Sequence, residues 1–183
     1  MKSYISILRG INVSGHNLIR MQDLKKMFED LGMAEVLTYI QSGNVVFKGS
    51  KPAATVTSKI ETAIRERFGF VVPVITRDAW EWQDTMAGNP FLSEPDIDHD
   101  KLHVTFLEEI PDKGKSNLIP LSDNSPDRYI MKDKNIYLYC PGGYGNTKWS
   151  NSFFERKLKV KATTRNWKTV IKLAELAGIK ASP

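Results

Sequence analysis

The chain of 183 residues has a single cysteine, Cys140, which excludes a disulfide framework and fits a reducing compartment. It lacks any apolar run near the roughly 20 residues needed to cross a bilayer. Its opening, MKSYISILRGINVSG, has neither the long apolar core nor the small-residue cleavage site of a signal peptide. A cytoplasmic protein with no membrane partner is therefore expected. Zinc-ligand spacing, a G-x-S-x-G elbow and a convincing carboxylate pair are also missing, so no metal or cofactor is expected. The acidic run Asp96-Ile97-Asp98-His99-Asp100 starts like a calcium loop. It has Lys101 where that loop needs glycine and Leu107 where it needs glutamate, and reads as an acidic connector. His99 and His103 are four apart, but His103 sits in a strand pattern, so they do not form a helical metal pair. Cys140 reads as a packed strand residue.

Charge is present but unevenly placed. Residues 141–183 carry nine Lys/Arg against Glu155 and Glu175, a net +7, which leaves residues 1–140 at −2. A basic segment beside a near-neutral body points to an anionic partner, or to a solvated helix face.

Glycine and asparagine gather in one early stretch, ILRGINVSGHNLIRM (Ile7–Met21). It approaches the phosphate-binding pattern G-x-x-x-x-G-K-[ST]. His16 and Asn17 stand where that loop needs lysine and Ser/Thr, and the helical pattern begins only near Met21, so it is not a P-loop.

Periodicity predicts the elements. Tyr4–Arg9 reads as a strand, and Met21, Leu24, Phe28 and Leu31 mark a helix ended by Gly32. Val36–Gln41 and Val45–Lys48 read as strands around the turn Ser42-Gly43-Asn44. Val56, Ile60, Ile64 and Phe68 mark a second helix, with Ser58 and Glu61 placed as a capping box if the helix starts there. Val71–Thr76 is a strand followed by a helix from Asp78. This is βαββαβ, the ferredoxin-like order. The order returns with Leu102–Leu107, a weak helix or turn over 112–119, a hairpin of Tyr129–Met131 and Ile136–Cys140, a helix over 149–158, a strand near Val160 and a helix from about Arg165.

Short matches support an internal duplication. YIQSGNVVF (Tyr39–Phe47) resembles YIMKDKNIYLY (Tyr129–Tyr139), placing Tyr39 against Tyr129 and Asn44 against Asn135, at offsets of 90 and 91. ITRDAW (Ile75–Trp80) resembles TTRNW (Thr163–Trp167), placing Arg77 against Arg165 at an offset of 88. The expected architecture is α+β: two ferredoxin-like subdomains at 1–88 and 102–183, joined by a connector over 89–101.

In such a unit the loop after the first strand and the hairpin after the second lie at one sheet edge. Arg9, Gly10 and Asn12 should therefore meet Gln41, Ser42 and Asn44. Backbone amides beside an arginine make an anion nest possible there. A second candidate is Thr163-Thr164-Arg165-Asn166-Trp167, read as a helix start with Thr164 as N-cap and Arg165 beside its first-turn N–H groups. Trp167, Val170, Ile171 and Ala174 form the buried stripe of that helix; Lys168 and Lys172 lie on the other side. Pro141-Gly142-Gly143-Tyr144-Gly145, followed by Lys148, is either a phosphate cradle or a flexible turn.

Together, LRGIN (Leu8–Asn12), YIQSGNVVF and TTRNWKTVIKL (Thr163–Leu173) resemble the domain of unknown function (DUF) 1697 family, over nearly the whole chain. The resemblance implies a bacterial, cytoplasmic protein of two related α+β subdomains without an agreed activity. The family's loop often reads G-I-N-V-G-G-K-N. Ser14 and His16 depart from it, which weakens any role for a loop lysine.

The leading expectation is a binder of a phosphorylated ligand or nucleic acid, acting through the glycine-rich loops and the basic C-terminal segment. The alternatives are a small-metabolite enzyme at the Arg9/Asn12/Ser42/Asn44 edge, and a protein-interaction module. Broad positive surface with exposed aromatics would favour the first, a deep polar pocket the second, and an apolar patch with a charged rim the third.

Overall fold

A computed structural model describes residues 1–117, 119 and 126–180. The chain divides into two compact units, Met1–Ala87 with Lys172–Pro183, and Gly88–Ile171.

Unit 1 runs β1 (Lys2–Leu8), α1 (Met21–Asp30), β2 (Ala34–Tyr39), β3 (Asn44–Gly49), α2 (Ala53–Phe68), β4 (Val74–Asp78) and α3 (Ala79–Ala87). Its sheet has the order β2-β3-β1-β4, with every neighbouring pair antiparallel. Leu24, Met27 and Phe28 form the apolar face of α1, and Val56, Ile60 and Ile64 that of α2. With Tyr4, Leu8, Val45, Phe47 and Val74 they make one core.

The capping box expected at Ser58 and Glu61 is not formed. Pro52 precedes α2, which starts at Ala53 because Val56 adds an apolar turn upstream. Ser58 therefore lies inside the helix and donates to the Ala54 carbonyl (3.1 Å), while Glu61 accepts from the Val74 N–H (3.1 Å). A reciprocal box does open α3: the Asp78 N–H donates to Glu81 (3.1 Å) and the Glu81 N–H to Asp78 (2.9 Å).

Unit 2 contains β5 (Leu102–Leu107), the one-turn α4 (Lys113–Ser116), β6 (Arg128–Lys132), β7 (Asn135–Tyr139), α5 (Asn151–Leu158) and β8 (Ala162–Asn166). The turn expected over 112–119 includes residue 118, which lies outside the described residues. The sheet order is β6-β7-β5-β8, the same relative order as in unit 1. The last helix, α6 (Trp167–Leu176), starts in unit 2, and its residues from Lys172 onward group with unit 1.

The last strand and helix lie later than expected. Thr164 pairs with Thr105 and Arg165 with Val104, so these residues belong to β8 and not to a helix start. Asn166 is the cap, its side chain accepting from the Thr169 N–H at 2.8 Å. Cross-strand pairing of three residues with good β-propensity overrides the local capping signal of Thr164.

Registers define which residues correspond between units. Asn44 pairs with Ile7 and Asn135 with Phe106; Arg77 pairs with Ile5 and Arg165 with Val104. The Ser6 and Thr76 hydroxyls meet at 2.7 Å, as do those of Thr105 and Thr164. Tyr39 and Tyr129 do not correspond. Tyr39 pairs with Asn44, whereas Tyr129 pairs with Leu138, three residues along from Asn135. The sequence match slips because four residues, 40–43, turn the first hairpin and two, 133–134, turn the second.

Among the described residues no helix is long and apolar enough to cross a membrane.

Candidate functional site

The first loop is built from residues that tolerate left-handed backbone. Positive φ occurs at Gly10 (70°), Asn12 (55°), Ser14 (50°), Gly15 (77°) and Asn17 (48°). The loop closes on itself. The His16 N–H donates to the Val13 carbonyl (2.9 Å), the Asn12 N–H to the Asn17 carbonyl (3.2 Å), and the Asn17 side chain to the Gly10 carbonyl (3.0 Å).

Three strands of hydrogen bonding then tie it to its neighbours. The Leu8 N–H donates to Gly43 O (2.8 Å) and the Arg9 N–H to Pro73 O (3.0 Å). The Asn12 amide donates to Ile19 O and Gln41 O (2.9 Å each), and its oxygen accepts from the Ile19 N–H (2.8 Å). The loop and the hairpin therefore meet at one sheet edge. Asn44 is fully buried there and donates to Tyr39 O and Ser42 Oγ, both at 3.0 Å. Gly43 sits at φ 79°, and a Cβ on it would approach Leu8 Cβ and Ile11 Cδ1 at 2.8 Å. Asn12, Gly43 and Asn44 thus act as a lock, with both amide hydrogens of each asparagine engaged inside the edge.

What the lock holds in solvent is apolar. Of ten exposed large hydrophobics among the described residues, Val13 (55%), Leu18 (67%), Ile40 (50%) and Val71 (74%) belong to the segments joined here. Ile40 has φ 48°, which for a β-branched residue is a genuine outlier. The sequence pattern gave no sign of these four, because single exposed aliphatics look like core residues until the fold places them.

Three grooves lined by described residues, of 560, 720 and 430 Å³, lie away from Arg9, Gly10, Asn12, Gln41, Ser42 and Asn44.

The C-terminal candidates are arranged differently from the expectation. Arg165 is a buried strand residue, donating to Thr163 Oγ1 (3.0 Å) and Thr164 O (2.8 Å), and burial pulls its guanidinium down to about 10. Its register counterpart Arg77 is also buried and lowered for the same reason. Asn166 caps α6. Lys168 pairs with Asp100 (3.0 Å) and Lys172 with Glu175 (2.8 Å), and upstream Lys161 pairs with Glu108 (3.1 Å). Several charges of the basic segment thus already face carboxylates.

The glycine-rich run 141–145 positions Tyr144. Its ring stacks on His103 at 5.0 Å, and its hydroxyl donates to Thr164 Oγ1 (3.0 Å), which donates on to Asn151 Oδ1 (2.7 Å). Burial lowers the His103 pKa. Lys148 lies 4.5 Å from the centre of the Trp149 ring. Asp98 caps the short turn His99–Lys101 by accepting from the Asp100 N–H (2.9 Å). Cys140 is buried, and its thiol is pushed up to about 11, chiefly by burial, which makes it a poor nucleophile.

Residues 1–137, which contain the whole loop edge, match the family described as protein of unknown function (DUF1697). The chain belongs to the DUF1697 family. No curated protein matches it. Among solved structures, it is similar to that of the conserved bacterial protein SP0830 from Streptococcus pneumoniae, with a TM-score of 0.73 and 23% identity, over 96% of this chain and 98% of that one. At that identity the likeness speaks for the fold shared with this DUF1697 chain.

Proposed function

We propose that the chain is a protein-interaction module whose contact surface is the loop edge of unit 1. The observation that carries this reading is Ile40, a β-branched residue kept exposed in left-handed backbone. Such strain, on the order of 1–2 kcal/mol, persists where the surroundings over-determine it, and it clusters at functional positions. Val13, Leu18 and Val71 supply further exposed apolar area. The phosphorylated-ligand or nucleic-acid reading loses Arg165, which is interior, while Lys161, Lys168 and Lys172 stay exposed in surface ion pairs.

In this reading the two units are copies of one ferredoxin-like βαββαβ fold, joined near residues 89–101, of which only the first carries the edge. Their common sheet order supports it, as do two matching hydrogen bonds. Leu8 N–H to Gly43 O corresponds to Leu107 N–H to Lys134 O, and Arg9 N–H to Pro73 O corresponds to Glu108 N–H to Lys161 O. Action in the cytoplasm is part of the same proposal.

The test combines stability with recovery of a partner from native cells. Ile40→Gly should raise unfolding free energy by about 0.5–1 kcal/mol, strain relief exceeding the entropy added by glycine. It and Leu18→Asp should lose a stoichiometric co-purifying protein that the wild type and Trp80→Ser both retain. Retention of that protein by both edge variants would refute the reading.

A further inference from the structure

We infer that unit 2 carries a binding groove for a small apolar molecule bearing both an ammonium and a carboxylate, the chemistry of an apolar amino acid or a short apolar peptide. The groove is separate from the unit 1 edge, and its failure would leave that reading standing. Leu8 and Leu107 correspond, since each donates its N–H to its own hairpin, at Gly43 O and Lys134 O (2.8 Å each). Three residues on stand Ile11 and Ile110, and four on stand Asn12 and Pro111. Ile11 is 1% exposed and Ile110 63%. Asn12 ties its loop to Gln41 O, a bond that proline, with no side-chain donor, cannot make. In α1, Leu24, Met27 and Phe28 are buried, whereas no residue of the single turn α4 is. Where unit 1 has its lock, unit 2 has an open groove of 720 Å³.

That volume falls within the roughly 300–1,000 Å³ of small-molecule sites, which are mainly apolar with a few polar groups. Ile110 and Ile119 line the groove from the loop side, and Tyr129, Ile130 and Met131 from β6. Lys113 and Asp133 line it as well, and neither side chain has a partner among the described residues. They are not paired with each other, so a ligand carrying both signs satisfies both. The charges next to them in sequence, Glu109, Asp112, Lys115 and Lys132, are two of each sign, so no surplus selects a purely anionic or purely cationic ligand. The 560 Å³ groove differs in this respect, because its charges are already joined: Lys25 with Glu29 (3.8 Å) and Lys48 with Glu35 (2.7 Å).

Full-length protein carrying ¹³C-labelled Ile, Leu and Met methyls is titrated with four probes. These are the tripeptide Leu-Phe-Leu with free termini, the same tripeptide acetylated and amidated, free phenylalanine, and decanoate. The free tripeptide should shift the Ile110, Ile119, Ile130 and Met131 methyls saturably, leaving those of Leu24 and Ile60 in unit 1 unmoved. Capping both termini should weaken binding about tenfold, and Lys113→Gln or Asp133→Asn about threefold each, the size of effect exposed ion pairs have. Asn at 133 tolerates the left-handed backbone there, φ 51°. Ile130→Glu, at an exposed position, should abolish the shifts while the Leu138 and Leu158 methyls keep their native positions and so report a folded unit 2. Phenylalanine binding as tightly as the tripeptide would assign an amino acid, and weaker binding a peptide. No saturable shift with either zwitterion, equal affinity for the capped and free tripeptides, or shifts with decanoate alone would overturn the proposal.

Discussion

The Asn12 side chain donates to the Gln41 carbonyl at 2.9 Å, linking two segments 29 residues apart. The same amide also clasps Ile19 through both its oxygen and its nitrogen. One side chain therefore sets the position of the loop, the hairpin and the entry to α1.

Asn12→Ala should lower unfolding free energy by about 2 kcal/mol, each of three hydrogen bonds contributing near 1 kcal/mol and partial exposure discounting the sum. Asn12→Asp should recover little, since the carboxylate cannot donate to Gln41 or Ile19. Chemical denaturation measures both, and Asn12→Ala at wild-type stability would show that the lock contributes nothing.

Gly43→Ala should be more damaging. The new methyl meets Leu8 Cβ and Ile11 Cδ1 at 2.8 Å in a backbone that disfavours any Cβ, so a loss of roughly 3 kcal/mol is expected. Gly10→Ala should lose less, about 1 kcal/mol, because its Cβ meets nothing within 4 Å and only the backbone term remains. Equal losses at the two positions would contradict the packing argument.

On α6, Lys168→Ala and Lys172→Ala should each change stability by no more than about 0.5 kcal/mol, because both ion pairs are exposed. Trp167→Ala should cost about 3–5 kcal/mol, the indole being 5% exposed. Thermal unfolding of the three variants distinguishes them, and a costly lysine change would place those charges in a structural role.

His103 gives a pH dependence of defined sign. Burial lowers its pKa below 6.5, so in the window just under 6.5 the unfolded chain binds the proton more readily than the folded one. Stability should therefore fall as pH drops through that window, flattening once the folded-state pKa is passed. His103→Gln should remove that part of the slope in denaturation curves taken between pH 7 and 5. An unchanged slope would assign it to other groups.

Much of the architecture is legible in local pattern. Leu24 and Phe28, or Ile60 and Ile64, recur at helical spacing because each helix has one face to bury, and β5 reads directly as Leu102–Leu107. The convergence of Asn12 with Gln41 also followed, since antiparallel order brings the first loop and the hairpin to the same edge. Local pattern misled at Thr164, where a good capping residue was claimed by pairing with Thr105, and at Ser58, which an apolar turn upstream placed inside α2. It could not show that Arg165 is interior while Ile40 is exposed. Sequence determined which residues can form each element, because periodicity and turn chemistry act over a few residues. Burial and pairing were decided by tertiary structure, because they depend on strands far apart in the chain: β1 against β4 and β5 against β8, about seventy and sixty residues away.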